Sequence, residues 1–254
     1  MLKKRIIPIQ LLAQGRLVKP VRFGEWRDVG DPVKSSAVYN SQYADELIFL
    51  NIARSSRRVE DLAPLIRDVA RVCFMPMAMG GGIGTAEEAA YLILNGADKV
   101  VVNSVAYRDA GVIRRTAERF GAQAVVVCVD AAWDAKRQEY RLYSDCGRQP
   151  EPVTLQEHLH ACAAAGAGEI MVQSIDRDGT MSGYDLNLLR LTMQSTSLPV
   201  IGAGGSGNYE HLRQAFLDTD VSALACGSLF NFSDSNPMRA KAFLSNYGLK
   251  FKVV

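Results

Sequence analysis

The sequence predicts an α/β fold, a closed (βα)8 TIM-type barrel assembled from two repeated half-barrels of about 1–120 and 121–254. Two observations carry this. Short apolar segments alternate strictly with helical patterns, eight of each in 254 residues, as a parallel sheet closed on itself requires. The chain also repeats itself. Pro76, Gly81, Gly82 and Gly84 match Pro199, Gly204, Gly205 and Gly207 at an offset of 123, and Ala44-Asp-Glu-Leu47 matches Ala167-Gly-Glu-Ile170 at the same offset. With one extra residue, Asn103-Ser104 matches Gly227-Ser228. An internal repeat that keeps its order and spacing favours a duplicated barrel over an open doubly wound sheet.

The strands are expected at 5–10, 46–51, 76–79, 99–102, 124–130, 169–173, 199–202 and 222–226, each short and mostly rich in Val and Ile. Such runs suit strands covered on both faces. Helical patterns fall at 32–43, 59–72, 85–95, 108–120, 154–165, 185–195, 208–217 and 237–247. Asp61, Thr85, Thr154, Asp185 and Asn208 stand where caps or first-turn residues belong. Three connections are long: Leu11 to Asp31, Ala131 to Pro152 with a small hairpin at Tyr140-Arg-Leu-Tyr143, and Ser174 to Gly183. Long connections after strands cover the face where barrel chemistry sits.

Composition narrows the function. The chain is 48% hydrophobic with a net charge of +2, which points to neither nucleic acid nor a membrane surface. The basic N-terminus precedes too short an apolar run for a span, and no secretory leader pattern follows. Five scattered cysteines read as reduced thiols, three of them in apolar runs, and suit a cytoplasmic protein. His158 and His160 lie two apart on a helix and face different ways, so no metal is expected.

Asp130 ends the fifth strand. A carboxylate at that tip suits proton transfer, with a helix cap or loop ion pair as the plainer role. Asp176 and Asp178 flank Arg177 after strand six; one would face the pocket and the other would pair with Arg177 or a backbone amide. The repeat lays Val126–Asp130 over Ile7–Leu11, so Leu11 stands where the second half has its acid. Two glycine clusters at strand ends let backbone N–H groups approach anions. They are Gly81, Gly82, Asn103 and Ser104, and Gly204, Gly205, Gly227 and Ser228, with Gly179 beside the second. Tight strand–helix contact is the alternative use of such glycines. Together the clusters imply a long substrate with phosphate at both ends. At the opposite face, Arg5, Glu46, Lys99 and Glu169 begin strands one, two, four and six. They form either a structural ion network or a gate to an axial passage.

Across nearly its whole length the sequence resembles the cyclase subunit of imidazole glycerol phosphate synthase. The motifs are Met1-Leu-Lys-Lys-Arg-Ile-Ile-Pro8, Gly15-Arg-Leu-Val-Lys19, Gly30-Asp-Pro32, Ala44-Asp-Glu46, Gly80-Gly-Gly-Ile83, Gly96-Ala-Asp-Lys99, Asn103, Asp130, Gly166-Ala-Gly-Glu169, Asp176-Arg-Asp-Gly-Thr180, Ser182-Gly-Tyr-Asp185 and Gly204-Gly205. The resemblance implies a barrel without a cofactor that receives ammonia from a glutaminase docked at its N-terminal face. It implies gate positions at Arg5, Glu46, Lys99 and Glu169, a partner contact at Asp98, and a substrate-loop lysine at Lys19. The products in that family are imidazole glycerol phosphate and an aminoimidazole carboxamide ribonucleotide.

The departures lie in the first half. The family's acid–base aspartates fall at Leu11 and Asp130, and Asn51 stands where an aspartate is usual. The block Pro8-Ile-Gln-Leu-Leu-Ala13 is altered together. The reading that follows is a divergent paralogue resembling the glycosyl-amidation-associated group. Such a paralogue works with a glutaminase-like partner and a separate sugar amidotransferase in surface-polysaccharide synthesis. The alternatives are a genuine cyclase of histidine biosynthesis, a related half-barrel sugar-phosphate isomerase, and a scaffold without chemistry.

Overall fold

The computed structural model describes residues 3–54 and 57–252; Met1 and Leu2 of the first family motif lie outside them. Eight strands form the barrel: β1 Arg5–Ala13, β2 Leu47–Asn51, β3 Met77–Gly80, β4 Lys99–Val102, β5 Val125–Asp134, β6 Glu169–Ser174, β7 Val200–Ala203 and β8 Ala223–Cys226. Each pairs in parallel with its neighbours, and β1 pairs with β8 to close the ring. The strands start within one residue of the sequence expectation, because their short apolar runs are buried on both faces.

Side chains alternate along each strand. One set, including Ile7, Ile48, Val126, Met171 and Ile201, fills the barrel interior. The other, including Ile6, Phe49, Val127 and Ile170, packs outward against the helices. The main helices are α1 Pro32–Ser41, α2 Ala63–Ala70, α3 Ala86–Leu94, α4 Gly111–Phe120, α5 Leu155–Ala164, α6 Leu186–Ser195, α7 Tyr209–Thr219 and α8 Pro237–Ser245. Thr85, Thr154, Asp185 and Asn208 cap α3, α5, α6 and α7 through side-chain oxygens. Asp61 lies in a first turn, that of the 3-10 segment Val59–Leu62 leading into α2.

Three local expectations are corrected. The helix expected over 108–120 is two. A short helix Ser104–Arg108 ends at Asp109, whose side chain accepts from the Gly111 amide at 2.9 Å and opens α4. A second short helix, Ser228–Phe232, follows β8. The first long connection is an antiparallel extension of β1, with strands Arg16–Pro20 and Trp26–Gly30. Its two-residue turn is Gln14-Gly15, both at positive φ (53° and 74°), as a type I′ hairpin demands. The expected hairpin in the second connection is present, with β5 paired antiparallel to Glu139–Ser144. Among the described residues no helix is long and apolar enough to cross a membrane.

Candidate functional site

The strands' C-terminal ends open into a cavity of about 400 Å³. That size suits a small organic ligand. Leu11, Lys19, Asn51, Asn103, Ser104, Asp130, Asp178, Ser228 and both glycine clusters line it, Gly179 included. The sequence-predicted residues from the two halves therefore meet in one place. Asp176 does not join them: it is exposed, and its carboxylate accepts from the Trp133 amide at 2.8 Å, tying the loop after β6 to β5. Of the two aspartates, the amide partner is thus Asp176 and the cavity residue Asp178.

Asp130 is buried at the tip of β5, level with Gln173 of β6. Asn103 donates to its Oδ2 at 2.8 Å, and the Cys128 thiol donates to its Oδ1 at 3.5 Å. Burial pushes its carboxyl up to about 7, the two donors pull against that rise, and the charge of Asp178 adds to it. The group therefore changes charge near neutrality. Across the cavity Leu11 lies level with Leu50 and packs against the apolar interior and against the buried cluster of Ala13, Val18 and Ala53. Asn51 spends its side-chain oxygen on the Ala53 amide at 3.1 Å.

The glycine clusters need glycine. Gly81, Gly82, Gly204 and Gly205 all have φ between 89° and 104°. A Cβ on Gly82 would lie 1.7 Å from the Arg57 carbonyl oxygen, and one on Gly205 would lie 2.1 Å from that of Gly183. Each cluster has a cation beside it. Lys19 reaches the Gly227 side and pairs with Asp178 at 2.8 Å, both side chains buried. Arg57 lines the Gly82 side and pairs with Asp145 at 2.5 Å. Sequence reasoning missed Arg57: it lies in a polar connection with no spacing signal, and its partner is 88 residues away. The buried Ser228 hydroxyl, Asn103 Oδ1 and Asp178 Oδ2 have no protein partner among the described residues.

The tip of the first-loop hairpin leans over this cavity. The Arg22 amide donates to the Asp178 carbonyl at 2.9 Å, and Arg54 donates to the Gly24 carbonyl at 3.1 Å. The Phe23 ring sits where a Cβ on Gly147 would fall.

At the opposite end the four charges close into a ring. Arg5 pairs with Glu46 at 2.9 Å and with Glu169, and Lys99 pairs with Glu46 at 2.9 Å and Glu169 at 3.2 Å. Two cations and two carboxylates, each touching both opposites, make a neutral and nearly buried lattice. Asp98 is exposed on the same face, held by the Met77 amide at 2.8 Å.

A family model described as "Histidine biosynthesis protein" matches residues 5–235. The imidazole glycerol phosphate synthase subunit HisF of Staphylococcus carnosus (strain TM300) is 37% identical over 249 residues, covering 98% of each chain. The subunit of the same name from Lactiplantibacillus plantarum (strain ATCC BAA-793 / NCIMB 8826 / WCFS1) is 39% identical over 249 residues, covering 98% of this chain and 99% of its own. With the barrel, the repeat and the shared motifs, these matches establish that the chain belongs to the histidine biosynthesis protein family, as a relative of the synthase subunit HisF.

Proposed function

We propose that this chain is a synthase-type barrel subunit that takes ammonia in at the charge ring and brings it to the upper cavity. A glutaminase subunit docks on the ring face, with Asp98 in the contact. The cavity holds a substrate with two phosphates, one at Gly81, Gly82, Asn103 and Ser104, the other at Gly179, Gly204, Gly205, Gly227 and Ser228. Lys19 orients the substrate. Asp130 moves the protons: with its carboxyl near 7 it can take a proton from nitrogen as a new C–N bond forms and return it to a leaving oxygen.

The observation that supports a finer reading is Leu11. It lies level with Leu50 and packs against Ala13, Val18 and Ala53, so the first half offers a hydrocarbon wall where a second acid–base group would stand. Losing one such group costs about 10²–10⁴ in rate. On this ground we assign the chain to a divergent branch that lends ammonia to a separate sugar amidotransferase in surface-polysaccharide synthesis. A second reading, cyclisation to imidazole glycerol phosphate in histidine biosynthesis, is favoured at least as much by the full-length identity to the two synthase subunits. In it Asp130 works with Asp178, which faces the same cavity.

One assay separates the readings. The purified protein is given the family's two-phosphate substrate and concentrated ammonium salt at alkaline pH, and loss of substrate absorbance is followed. No turnover by the wild type supports the divergent branch, and ready turnover makes it a histidine-pathway cyclase.

A further inference from the structure

Each phosphate seat has a cation beside it, and each cation is held by an aspartate. Lys19 with Asp178 does this at the second seat. Arg57 with Asp145 does it at the first, in a different way. The Arg57 carbonyl covers Gly82, while its guanidinium reaches across the cavity rim. Nη2 meets Asp145 at 2.5 Å and Nη1 donates to the Cys146 sulfur at 3.0 Å. The Asp145 amide donates to Ser104 Oγ at 3.0 Å, leaving the hydroxyl's own proton available to a ligand. Arg57, Asp145 and Ser104 thus form a belt around Gly82.

Asp145 has a second cation. Arg148 reaches the same oxygen at 3.0 Å. If Arg57 swings away, the carboxylate stays paired. A guanidinium prefers a phosphate dianion to a shared carboxylate, because it can give two parallel bonds to more charge. Arg57 and Asp145 are about a quarter and a third exposed, so the exchange strands no buried charge.

We propose that Arg57 is a phosphate-binding side chain of the first seat, parked on Asp145 until a phosphate monoester dianion draws it over Gly82 and Ser104. The inference rests on the phosphate-seat reading above. It assigns the first seat a guanidinium where the second has an ammonium, so the two ends of the substrate are told apart by cation geometry.

The test is a titration of ¹⁵N-labelled protein with inorganic phosphate, read at the Gly82 and Gly205 amides in one sample. Arg57→Gln weakens binding at Gly82 by about tenfold, the worth of a charge-assisted contact, and leaves Gly205 unchanged. Arg57→Lys, which keeps charge without the fork, falls between. Asp145→Asn, which frees Arg57, tightens binding at Gly82 severalfold. An unchanged Gly82 response in Arg57→Gln, or a loss in Asp145→Asn parallel to it, overturns the inference while the seat stands. A wild type with no saturable shift at either glycine overturns the seats themselves, and this inference with them. The Gly205 response reports folding in every variant.

Discussion

The tips of β1 and β5 occupy matching places in the repeat and have opposite chemistry. The β5 tip carries Asp130, buried and braced by Asn103 and Cys128. The β1 tip carries Leu11, braced by hydrocarbon. Both strands run past the barrel rim into antiparallel hairpins, through a two-residue turn after β1 and a four-residue turn after β5. The two halves share their glycine clusters and differ in the chemistry of this one position.

Leu11→Asp tests this most sharply. If the β1 tip lacks only its acid, the variant gains about 10²–10⁴ in ammonia-dependent cyclisation, measured by substrate absorbance. The new carboxylate would face the cavity with Asp130 and Asp178, and its coupling to Asp130 would broaden the pH profile.

Asp130→Asn examines the other tip. The folded state holds a proton up to about pH 7 that the unfolded chain releases near 3.8. Asp130 therefore makes the protein less stable as pH rises between those values, by up to about 4 kcal/mol, with no further loss above. Urea midpoints across that window should fall with pH in the wild type and lose that slope in Asp130→Asn.

At the lower face the asymmetry runs the other way: the first half gives Arg5, Glu46 and Lys99, and the second only Glu169. Glu169→Gln leaves two close cations sharing one carboxylate. Breaking a largely buried ion network this way costs about 3 kcal/mol, read as a lower urea midpoint. The smallest effect is a control where the halves agree. Thr85→Ala and Thr154→Ala each remove a capping box, of α3 and α5, and each costs about 1 kcal/mol.

The barrel was legible because its signals are local. Apolar runs mark the strands, and hydroxyl or carboxyl residues mark the helix starts. The glycine seats were legible through the repeat, which places matching residues at matching strand ends. The β1 hairpin had a signal that went unused: Gln14-Gly15 sits between two apolar stretches, and X-Gly in that setting is a two-residue turn. The short helices at Ser104 and Ser228 were missed because one turn is too short to show a period. The Arg57–Asp145 contact had no sequence signal at all; it exists because the loops after β2 and β5 lean over the same seat. The role of Asp178 could be narrowed to one of two aspartates, and only the fold chose between them.

Between the charge ring and the cavity lies the interior layer of Ile7, Ile48, Val126, Met171 and Ile201. It is a slab of low dielectric set across the barrel axis. An ion entering it would give up its hydration at a cost of several kcal/mol, whereas a small neutral solute would pass without that loss. In the function proposed above, the ring would be a desolvation step and the slab a charge filter. On that proposal ammonium would shed its proton before the slab, and the nitrogen reaching the cavity beside Asp130 would arrive with its lone pair free.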